Sequence, residues 1–434
     1  MDAMVNNRSE AQRESSGVPA LVVSLGRSPI QHGPLGVVRS LGRFGATMYT
    51  VCDSDSPVMK SRFLEKAFTW SADEGSMEDT LEFLLDVGRQ IGRRALLIPT
   101  DDLGTILLDE HANALKERFL FPEQPQGLAR SLSDKREMYY LCKRMDVPTP
   151  DAAFPTSRED VVDYVRDATF PVVMKGVHAW SHYGTLRKTG MDRVLILKSA
   201  SELLESYSKL EAAGSPDVLL QEYIPGGPES VWMFNGYFDE GSDCLLGYTG
   251  QKIRQHPPYT GFATLGLCVD NEIVESVTKR FMKELGYRGA LDIGYRFDAR
   301  DGKYKLLDVN PRMGGTFRLF VGENGMDVAR ALYLDLTGKK VDHSPSPAGR
   351  RWVVENYDLF SSITYARDGK LKFGSWVRSL RDVQEGAWFA TDDLAPTRFV
   401  LFSSMGKVFV LLAKGPLLRW LSASQRWISS RGRI

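Results

Sequence analysis

The segment Gly289–Arg312 (GALDIGYRFDARDGKYKLLDVNPR) restricts the folds open to this chain more than any other stretch. Two runs within it, Ala290–Phe297 and Tyr304–Val309, are rich in apolar, aromatic and β-branched residues, which favour strands. Asp301-Gly302 lies between the two runs and is a strong hairpin signal. The segment therefore predicts two adjacent antiparallel strands that the remaining chain has to surround.

Oxygen-bearing side chains interrupt both predicted strands, at positions where a plain strand would carry valine or threonine. Asp292 lies in the first strand, whereas Asp308 and Asn310 lie two residues apart near the end of the second and point to one face. Hard oxygen ligands that converge from paired strands suit a magnesium–phosphate site. Arg312, two residues further on, would aim a forked cation at the same place.

Length, charge and cysteine content exclude several classes of protein. A chain of 434 residues is too long for one simple core and predicts two or three domains or lobes. Its 55 basic and 55 acidic residues cancel, which argues against nucleic acid as a partner. The four cysteines form no CxxC pair, so free thiols in a reducing cytoplasm are expected. Residues 1–17 lack an apolar core and are interpreted as a disordered tail.

Strand-like and helix-like stretches alternate between residues 18 and 132. Ala20–Leu25, Thr47–Cys52 and Ala95–Pro99 have the composition of buried strands, and helical patterns separate them. This alternation predicts a doubly wound α/β domain. The loop Thr100–Asp102 follows a strand end, where such sheets bind ligands. Because neither GxGxxG nor GxxxxGK[ST] occurs, dinucleotide and P-loop binding are poor expectations.

A second α/β unit is predicted for residues 133–340, and the pattern becomes less regular from residue 341 to 434. Short strands are expected around Trp352–Glu355 and Phe399–Phe402. The apolar and basic stretch Val408–Ile434 is interrupted by Lys414-Gly415-Pro416, so a transmembrane helix is not expected. A helix packed on its own protein is preferred here, and a peripheral membrane contact is the alternative.

From Asp134 to Arg312, about half of the chain, the sequence resembles the ATP-grasp family, which activates a carboxylate with ATP as an acyl phosphate for attack by a nucleophile. Asp134-Lys135 matches the family's DK pair, and Lys175, after FPVVM, matches its second phosphate-binding lysine. A capped helix start and a solvated strand end are the plain alternatives for these residues. The resemblance implies ATP as the cofactor, with two Mg²⁺ ions that Mn²⁺ could replace.

The resemblance also assigns the rest of the nucleotide site. QEYIPG matches the linker strand to the adenine, with Glu222 and the Ile224 backbone at the base and Glu229 at the ribose. The cofactor-binding residues expected in this way are Lys135, Lys175, Gln221, Glu222, Tyr223, Ile224, Glu229 and Leu307. Core packing is the alternative for Leu307.

The resemblance places metal and catalytic groups on the hairpin and beside it. Asp308 would bridge both metal ions, Asn310 and Asp292 would each ligate metal, and many relatives carry a glutamate where this chain has Gly294. The expected catalytic cations are Arg312, Lys252 and Arg254, with surface salt bridges as the alternative for the last two. Arg318, after the Gly314-Gly315 turn, is a candidate partner for a substrate carboxylate.

One loop departs from the family. Where relatives carry a glycine-rich lid over the phosphates, residues 176–184 read GVHAWSHYG, so side chains would replace backbone N–H groups. His178 and His182 have metal-type spacing, but without a third ligand zinc is not favoured.

The sequence thus predicts an α/β protein with the ATP-grasp fold: a doubly wound N-terminal domain, a nucleotide-clamping lobe (about residues 150–225) and a C-terminal catalytic lobe. Gly33–Leu41 and Pro99–Asp102 look most like the carboxylate–amine ligases, a group that includes D-aspartate ligase-like enzymes. The expected reaction joins a small-molecule carboxylate and an amine, with loops Leu25–Gly33 and Pro257–Gly261 forming the substrate pockets. A carboxylase or thioester-forming ligase, an inactive ATP-binding scaffold and a homo-oligomer stay open.

Overall fold

The computed structural model describes residues 17–26, 31–71, 75–177, 191, 194–214, 217–342 and 344–413, with side chains as far as 403. The expectations for the tail 1–16, for most of the lid loop with His178 and His182, and for residues 414–434 lie outside this described part.

The N-terminal unit is a five-stranded parallel sheet in the order β3-β2-β1-β4-β5. Alternate residues of its central strand enter two different cores, Ala20 and Val22 on one face and Leu21 and Val23 on the other, which confirms a doubly wound arrangement. Its strands are β1 Ala20–Val23, β2 Met48–Cys52, β3 Leu64–Thr69, β4 Ala95–Pro99 and β5 Phe119–Leu120. Its helices are α1 His32–Arg43, α2 Met77–Ile91, α3 Asp102–Glu110, α4 Ala112–Leu115 and α5 Leu128–Ser133.

The second unit is a four-stranded antiparallel sheet in the order β6-β9-β7-β8, with helices packed on it. Asp134 begins the first of these helices by accepting hydrogen bonds from the backbone N–H groups of Arg136 and Glu137. The strands are β6 Ala152–Ala153, β7 Val172–Gly176, β8 Val194–Leu197 and β9 Val218–Glu222. The helices are α6 Lys135–Arg144, α7 Arg158–Asp167 and α8 Ala200–Ala212.

The third unit is a seven-stranded sheet in the order β14-β13-β10-β11-β12-β15-β16. The predicted hairpin is confirmed as β13 and β14 at one edge, and every residue of the neighbouring strand β10 is buried. The strands are β10 Val231–Phe238, β11 Cys244–His256, β12 Phe262–Cys268, β13 Gly289–Asp298, β14 Lys303–Asn310, β15 Arg351–Val353 and β16 Val383–Gly386. The helices are α9 Glu272–Leu285, α10 Val328–Leu336, α11 Glu355–Arg367, α12 Phe373–Ser379 and α13 Leu394–Ala413.

One element after residue 341 differs from its prediction. The stretch Phe399–Phe402 was expected to be a strand but lies inside α13, which carries Pro396 in its first turn and turns Val400 inward. Four apolar residues in a row do not distinguish a strand from a helix by period alone. Within the described residues, no helix is long and apolar enough to cross a bilayer.

Candidate functional site

The register of the hairpin gathers the oxygen ligands on one face of the seven-stranded sheet. Asp292 pairs with Asn310, and Gly294 pairs with Asp308, so these side chains share a face. The register then shifts, because Leu306 pairs with Tyr295 and Leu307 becomes the extra residue of a β-bulge. The bulge turns Leu306 into the core while Asp308 and Asn310 stay on the open face.

The acidic side chains of this face are held close together. The Asn310 amide Nδ2 donates to the Asp292 backbone oxygen at 3.2 Å and to Asp308 Oδ2 at 3.2 Å. Burial, the largest cause, and the charge of nearby Asp308 raise the pKa of Asp292 to about 6, against the opposing effects of Arg312 and Lys252. A divalent cation placed between the two carboxylates would relieve this repulsion.

Two glycines allow the carboxylates to take these positions. A Cβ atom on Gly294 would lie 3.0 Å from Asp308 Oδ1, and one on Gly314 would overlap the Asp292 carboxylate. Many relatives carry a glutamate at position 294. In this chain the Asp308 carboxylate lies against the space above Gly294, so a side chain at position 294 would crowd it.

Asn235 is a site residue that the sequence did not reveal. It lies opposite Asp292 in the β10–β13 ladder and is completely buried. Neither of its amide atoms makes a hydrogen bond of normal geometry, although the amide is near enough to lower the pKa of Asp292. An unsatisfied buried amide costs about 1–3 kcal/mol, so the site fits a bound metal–nucleotide complex that would give it a partner.

Lysines reach the same face from three elements. Lys175 closes β7, where burial and the neighbouring charge of Lys135 lower its pKa to about 8, and Asp308 partly opposes the shift. Lys135 donates to the Val177 backbone oxygen at 3.4 Å. Lys252 of β11 lies near enough to Asp292 to lower its pKa. Lysines of the second and third units therefore place positive charge near the carboxylates.

The structure corrects the expectation for Arg254, which is not in the site. A bulge in β11 pairs Lys252 with Gly266 but Arg254 with the adjacent Leu265, so the two cations point to opposite faces. Arg254 is buried against α11, where Nε and Nη2 donate to the two oxygens of Asp358 at 2.7 and 2.9 Å. The Arg254 guanidinium is therefore held in a buried ion pair with Asp358.

Arg312 joins the hairpin to the N-terminal sheet. Its Nε donates to Asp102 Oδ1 at 2.7 Å, and its Nη2 donates to Asn310 Oδ1 at 3.0 Å. Asp102 begins α3 at the carboxyl end of β4, in the loop that the sequence marked as ligand-binding. The spacing along the chain gave no signal that Asp102 would pair with Arg312.

The end of β9 meets the hairpin at the expected nucleotide edge. Glu222 accepts hydrogen bonds from Lys305 at 2.7 Å and Arg300 at 2.9 Å, so its carboxylate is already neutralised. The other residues assigned to this edge differ in exposure: Gln221 and Ile224 are buried, Tyr223 and Leu307 are partly exposed, and Glu229 accepts from the Gly227 backbone N–H. A base bound here would lie between the two units.

The structure also corrects the expectation that Arg318 would bind a substrate carboxylate. Arg318 forms an ion pair with the fully buried Asp327. Its Nε and Nη2 also donate to the two oxygens of Glu385 at 2.8 and 2.7 Å. Two carboxylates therefore neutralise one guanidinium.

His32, in the first predicted substrate loop, packs against β12, which follows the second predicted loop, and against β15. The imidazole lies 5.8 Å from the Phe262 ring and 5.5 Å from the Trp352 ring, centroid to centroid. Gly33 approaches the turn at Gly315, which follows the glycine beside Asp292. The beginning of α1 therefore lies next to the acidic face. Arg312 also lines a small cleft together with Leu97, Thr105, Phe121 and Met313 among others.

Comparison with known proteins gives a consistent assignment, although no family model matches the chain. The chain is 25% identical over 292 residues to D-aspartate ligase of Enterococcus faecium, which covers 64% of this chain and 68% of that protein. It also matches a biotin carboxylase and large chains of carbamoyl phosphate synthase, of which it spans no more than about half.

Solved structures share the fold at low sequence identity. An L-amino acid ligase from Bacillus licheniformis aligns with a TM-score of 0.55 at 14% identity, over 75% of this chain and 74% of that one. The biotin carboxylase domain dimer of 2-oxoglutarate carboxylase from Hydrogenobacter thermophilus, in complex with MgADP and bicarbonate, aligns with a TM-score of 0.54 at 17% identity, over 75% and 71%. The chain therefore has the ATP-grasp fold of these solved structures, and its sequence is similar to that of D-aspartate ligase.

Proposed function

We propose that this protein is an ATP-dependent carboxylate–amine ligase that forms an amide or peptide bond through an acyl phosphate and releases ADP and phosphate. The observation that supports this most is the open face of the seven-stranded sheet, where Asp292, Asp308 and Asn310 lie together and Arg312 and Lys252 lie beside them. Phosphoryl transfer needs charge neutralisation and positioning more than acid–base chemistry, and this face provides both.

The donor set fits Mg²⁺ bound together with nucleotide phosphates. Asp308, Asn310 and Asp292 would hold the metal, with phosphate and water oxygens completing its coordination. Among the described residues, no three His, Cys, Asp or Glu side chains form a metal site by themselves, which suits an ion that arrives with its nucleotide. When bound, Mg²⁺ neutralises the phosphates and polarises the transferred group.

The lysines and arginine of the chain would orient the reactants. Lys135 and Lys175 lie at the lobe that clamps the nucleotide and would hold its phosphates. Lys252, which lies near Asp292, would face the transferred group, and Arg312, fixed by Asp102, would hold the carboxylate in line for attack. Because a phosphate anion favours the charged form of Lys175, we expect nucleotide binding to weaken above about pH 8.

A second candidate function rests on Gly294. An ATP-binding scaffold without catalysis would explain the loss of the glutamate found in many relatives. Against it, a scaffold gains nothing from partly buried carboxylates gathered beside the buried amide of Asn235. All four cysteines are unpaired, which supports placing the reaction in the cytoplasm.

Turnover can be tested by ADP release over a panel of amino acids and small carboxylates, with hydroxylamine present to trap an acyl phosphate. The proposal expects magnesium-dependent ADP release and a hydroxamate product. Tight ATP binding without release across the whole panel would favour the scaffold, and bicarbonate-dependent release alone would favour a carboxylase.

The metal assignment can be tested with Asp308→Asn. We expect turnover to fall at least about a thousandfold, and binding of Mn²⁺ with ADP, followed by electron paramagnetic resonance, to weaken, because a bridging charge is lost. The matched control is Arg254→Lys, because the Arg254 guanidinium faces away from the acidic face. This variant should affect thermal stability more than it affects Mn²⁺ binding. Unchanged Mn²⁺ binding in Asp308→Asn would rule out the assignment.

A further inference from the structure

The loop Pro257–Gly261, which joins β11 to β12, contains a residue in an unfavourable backbone conformation. Tyr259 has a φ of +72°, in the left-handed region that glycine adopts readily and bulky side chains avoid. A glycine at position 259 would remove this strain. Because strain of this kind persists only where surrounding contacts impose it, the contacts of Tyr259 bear on the function of the loop.

Helix α11 holds Tyr259 by its side chain and by its backbone. The phenol donates to Asp368 Oδ2 at 2.8 Å, just after the helix ends, and the Tyr259 N–H donates to the Tyr365 hydroxyl at 3.2 Å. The rings of Tyr259 and Tyr365 pack edge to face with their centroids 4.9 Å apart. Tyr365 is almost completely buried and is therefore a fixed support. The tyrosine side chain thus anchors the middle of the loop, which a glycine could not do.

This helix is itself fixed to the strand that carries Lys252. The buried ion pair of Arg254 and Asp358 ties α11 to β11. At the end of the same strand, the Nδ1 atom of His256 lies 2.9 Å from Ser361 Oγ of the helix. The helix, the strand end and the loop between them therefore form one connected frame.

The last residue of the loop contacts Lys252. The Gly261 carbonyl accepts from Lys252 Nζ at 3.4 Å and from Gln255 Nε2 at 2.7 Å. The Gly261 N–H donates to the Pro257 oxygen at 3.0 Å, and a Cβ atom on Gly261 would overlap the His256 backbone, so the turn is tightly closed. A lysine side chain has several rotatable bonds, and a fixed carbonyl beside Nζ restricts where the ammonium can lie.

We propose that Tyr259 is a positioning residue for Lys252. By holding the loop against α11, Tyr259 fixes the Gly261 carbonyl, and this carbonyl directs the Lys252 ammonium towards the acidic face. The strain at position 259 is then the cost of orienting one cation. The inference rests on the role proposed above for Lys252 in the ligase reaction.

The variant Tyr259→Gly separates this role from a structural one. Relief of the strained φ offsets the lost ring contact, so we expect the unfolding temperature to stay within about 2 °C of the wild type. In contrast, kcat should fall at least about fivefold while the KM for ATP changes less than about twofold. Ser242→Gly is the matched control, because it relieves a φ of +61° before the other end of β11 and should keep the wild-type kcat.

Combining Tyr259→Gly with Lys252→Met tests whether the two residues act together. If Tyr259 acts through Lys252, the added glycine should change the kcat of Lys252→Met less than about twofold. A further loss of about fivefold in that background would overturn the proposal, because Tyr259 would then act by another route.

A measurement without turnover keeps this test apart from the ligase proposal. Acetic anhydride, with mass spectrometry as the readout, should label Lys252 at least about threefold faster in Tyr259→Gly, while Lys175 is labelled at the wild-type rate. Equal labelling of Lys252 in the wild type and in Tyr259→Gly would overturn the proposal. A wild type that releases no ADP with any substrate would instead contradict the ligase function, and the labelling would still decide whether Tyr259 holds Lys252.

Discussion

His32 and Asn235 are completely or almost completely buried, and their polar side-chain atoms make no hydrogen bond of normal geometry. Each such group opposes folding by about 1–3 kcal/mol. Both residues border the acidic face: Asn235 lies across from Asp292, and His32 precedes the glycine that contacts Gly315. Folding alone would favour apolar residues at these positions, so we interpret both side chains as reserved for a bound ligand.

The His32→Phe variant tests the cost of this burial. Burial lowers the pKa of His32 from 6.5 to about 3, so between these values the unfolded chain binds a proton that the folded protein does not. The wild type therefore loses stability as pH falls from about 6.5 towards 3, by about 1.4 kcal/mol per pH unit from this residue. His32→Phe should remove that part of the acid dependence and raise stability at neutral pH.

Urea unfolding of His32→Phe at several pH values between about 4 and 7 measures the difference. His111→Gln, at a partly exposed histidine of the same unit, is the control and should keep the wild-type pH dependence. Parallel curves for the wild type and His32→Phe would show that the imidazole has a partner in the folded protein.

The positions of single side chains were predictable where they depend on neighbours in the chain. Asp308 and Asn310 share a face because they lie two apart in a strand, and Asp292 joins them through the hairpin turn. Arg254 and Arg318 were misassigned because their carboxylate partners, Asp358 and Glu385, lie 104 and 67 residues away. No local pattern reports a partner at that distance.

Two β-bulges decide which side chains enter the site. The bulge at Leu307 removes Leu306 from the acidic face, and the one between Lys252 and Arg254 sends the second cation to the opposite side. Strict alternation, the rule available from sequence, fails at a bulge because one strand carries an extra residue. The hairpin and most strands were predictable from composition, whereas the bulges depend on pairing partners.

At the scale of secondary-structure elements, the prediction concerns the buried ion pair between Arg254 of β11 and Asp358 of α11. Asp358 is 1% exposed and also accepts from Trp376 Nε1 at 2.9 Å. Removing either member of a buried pair leaves an uncompensated charge, so Arg254→Leu and Asp358→Leu should each lower the free energy of unfolding by about 3–5 kcal/mol. The double variant should lose clearly less than the sum of the two.

Urea unfolding of the four proteins in this cycle measures the coupling. Lys252→Met is the matched control, since it should reduce ADP release while leaving the free energy of unfolding within about 0.5 kcal/mol of the wild type. Arg254→Leu with full stability and no ADP release would restore the catalytic interpretation of Arg254.

At the scale of the whole molecule, all three units contribute to one site. The N-terminal sheet supplies Asp102, the four-stranded sheet supplies Lys175, and the seven-stranded sheet supplies the acidic face. The ATP-grasp fold was predictable from alternating elements and short motifs. The meeting point of the units was not, because the contact between Asp102 and Arg312 spans 210 residues and depends on how the units dock.

The energetic coupling between Asp102 and Arg312 measures how much the contact between the N-terminal unit and the seven-stranded sheet contributes to the proposed reaction. Asp102 fixes the guanidinium that also binds Asn310, so Asp102→Asn should lower kcat of the wild-type reaction about tenfold or more while ADP affinity stays the same. Arg312→Lys should lower kcat further, and adding Asp102→Asn to it should change little, because the oriented fork is already lost. Asp53→Asn, at the carboxyl end of β2 in the same sheet, should behave as the wild type. Fully additive losses in the double variant would show that Asp102 acts independently of Arg312, and the N-terminal unit would then have no part in orienting Arg312.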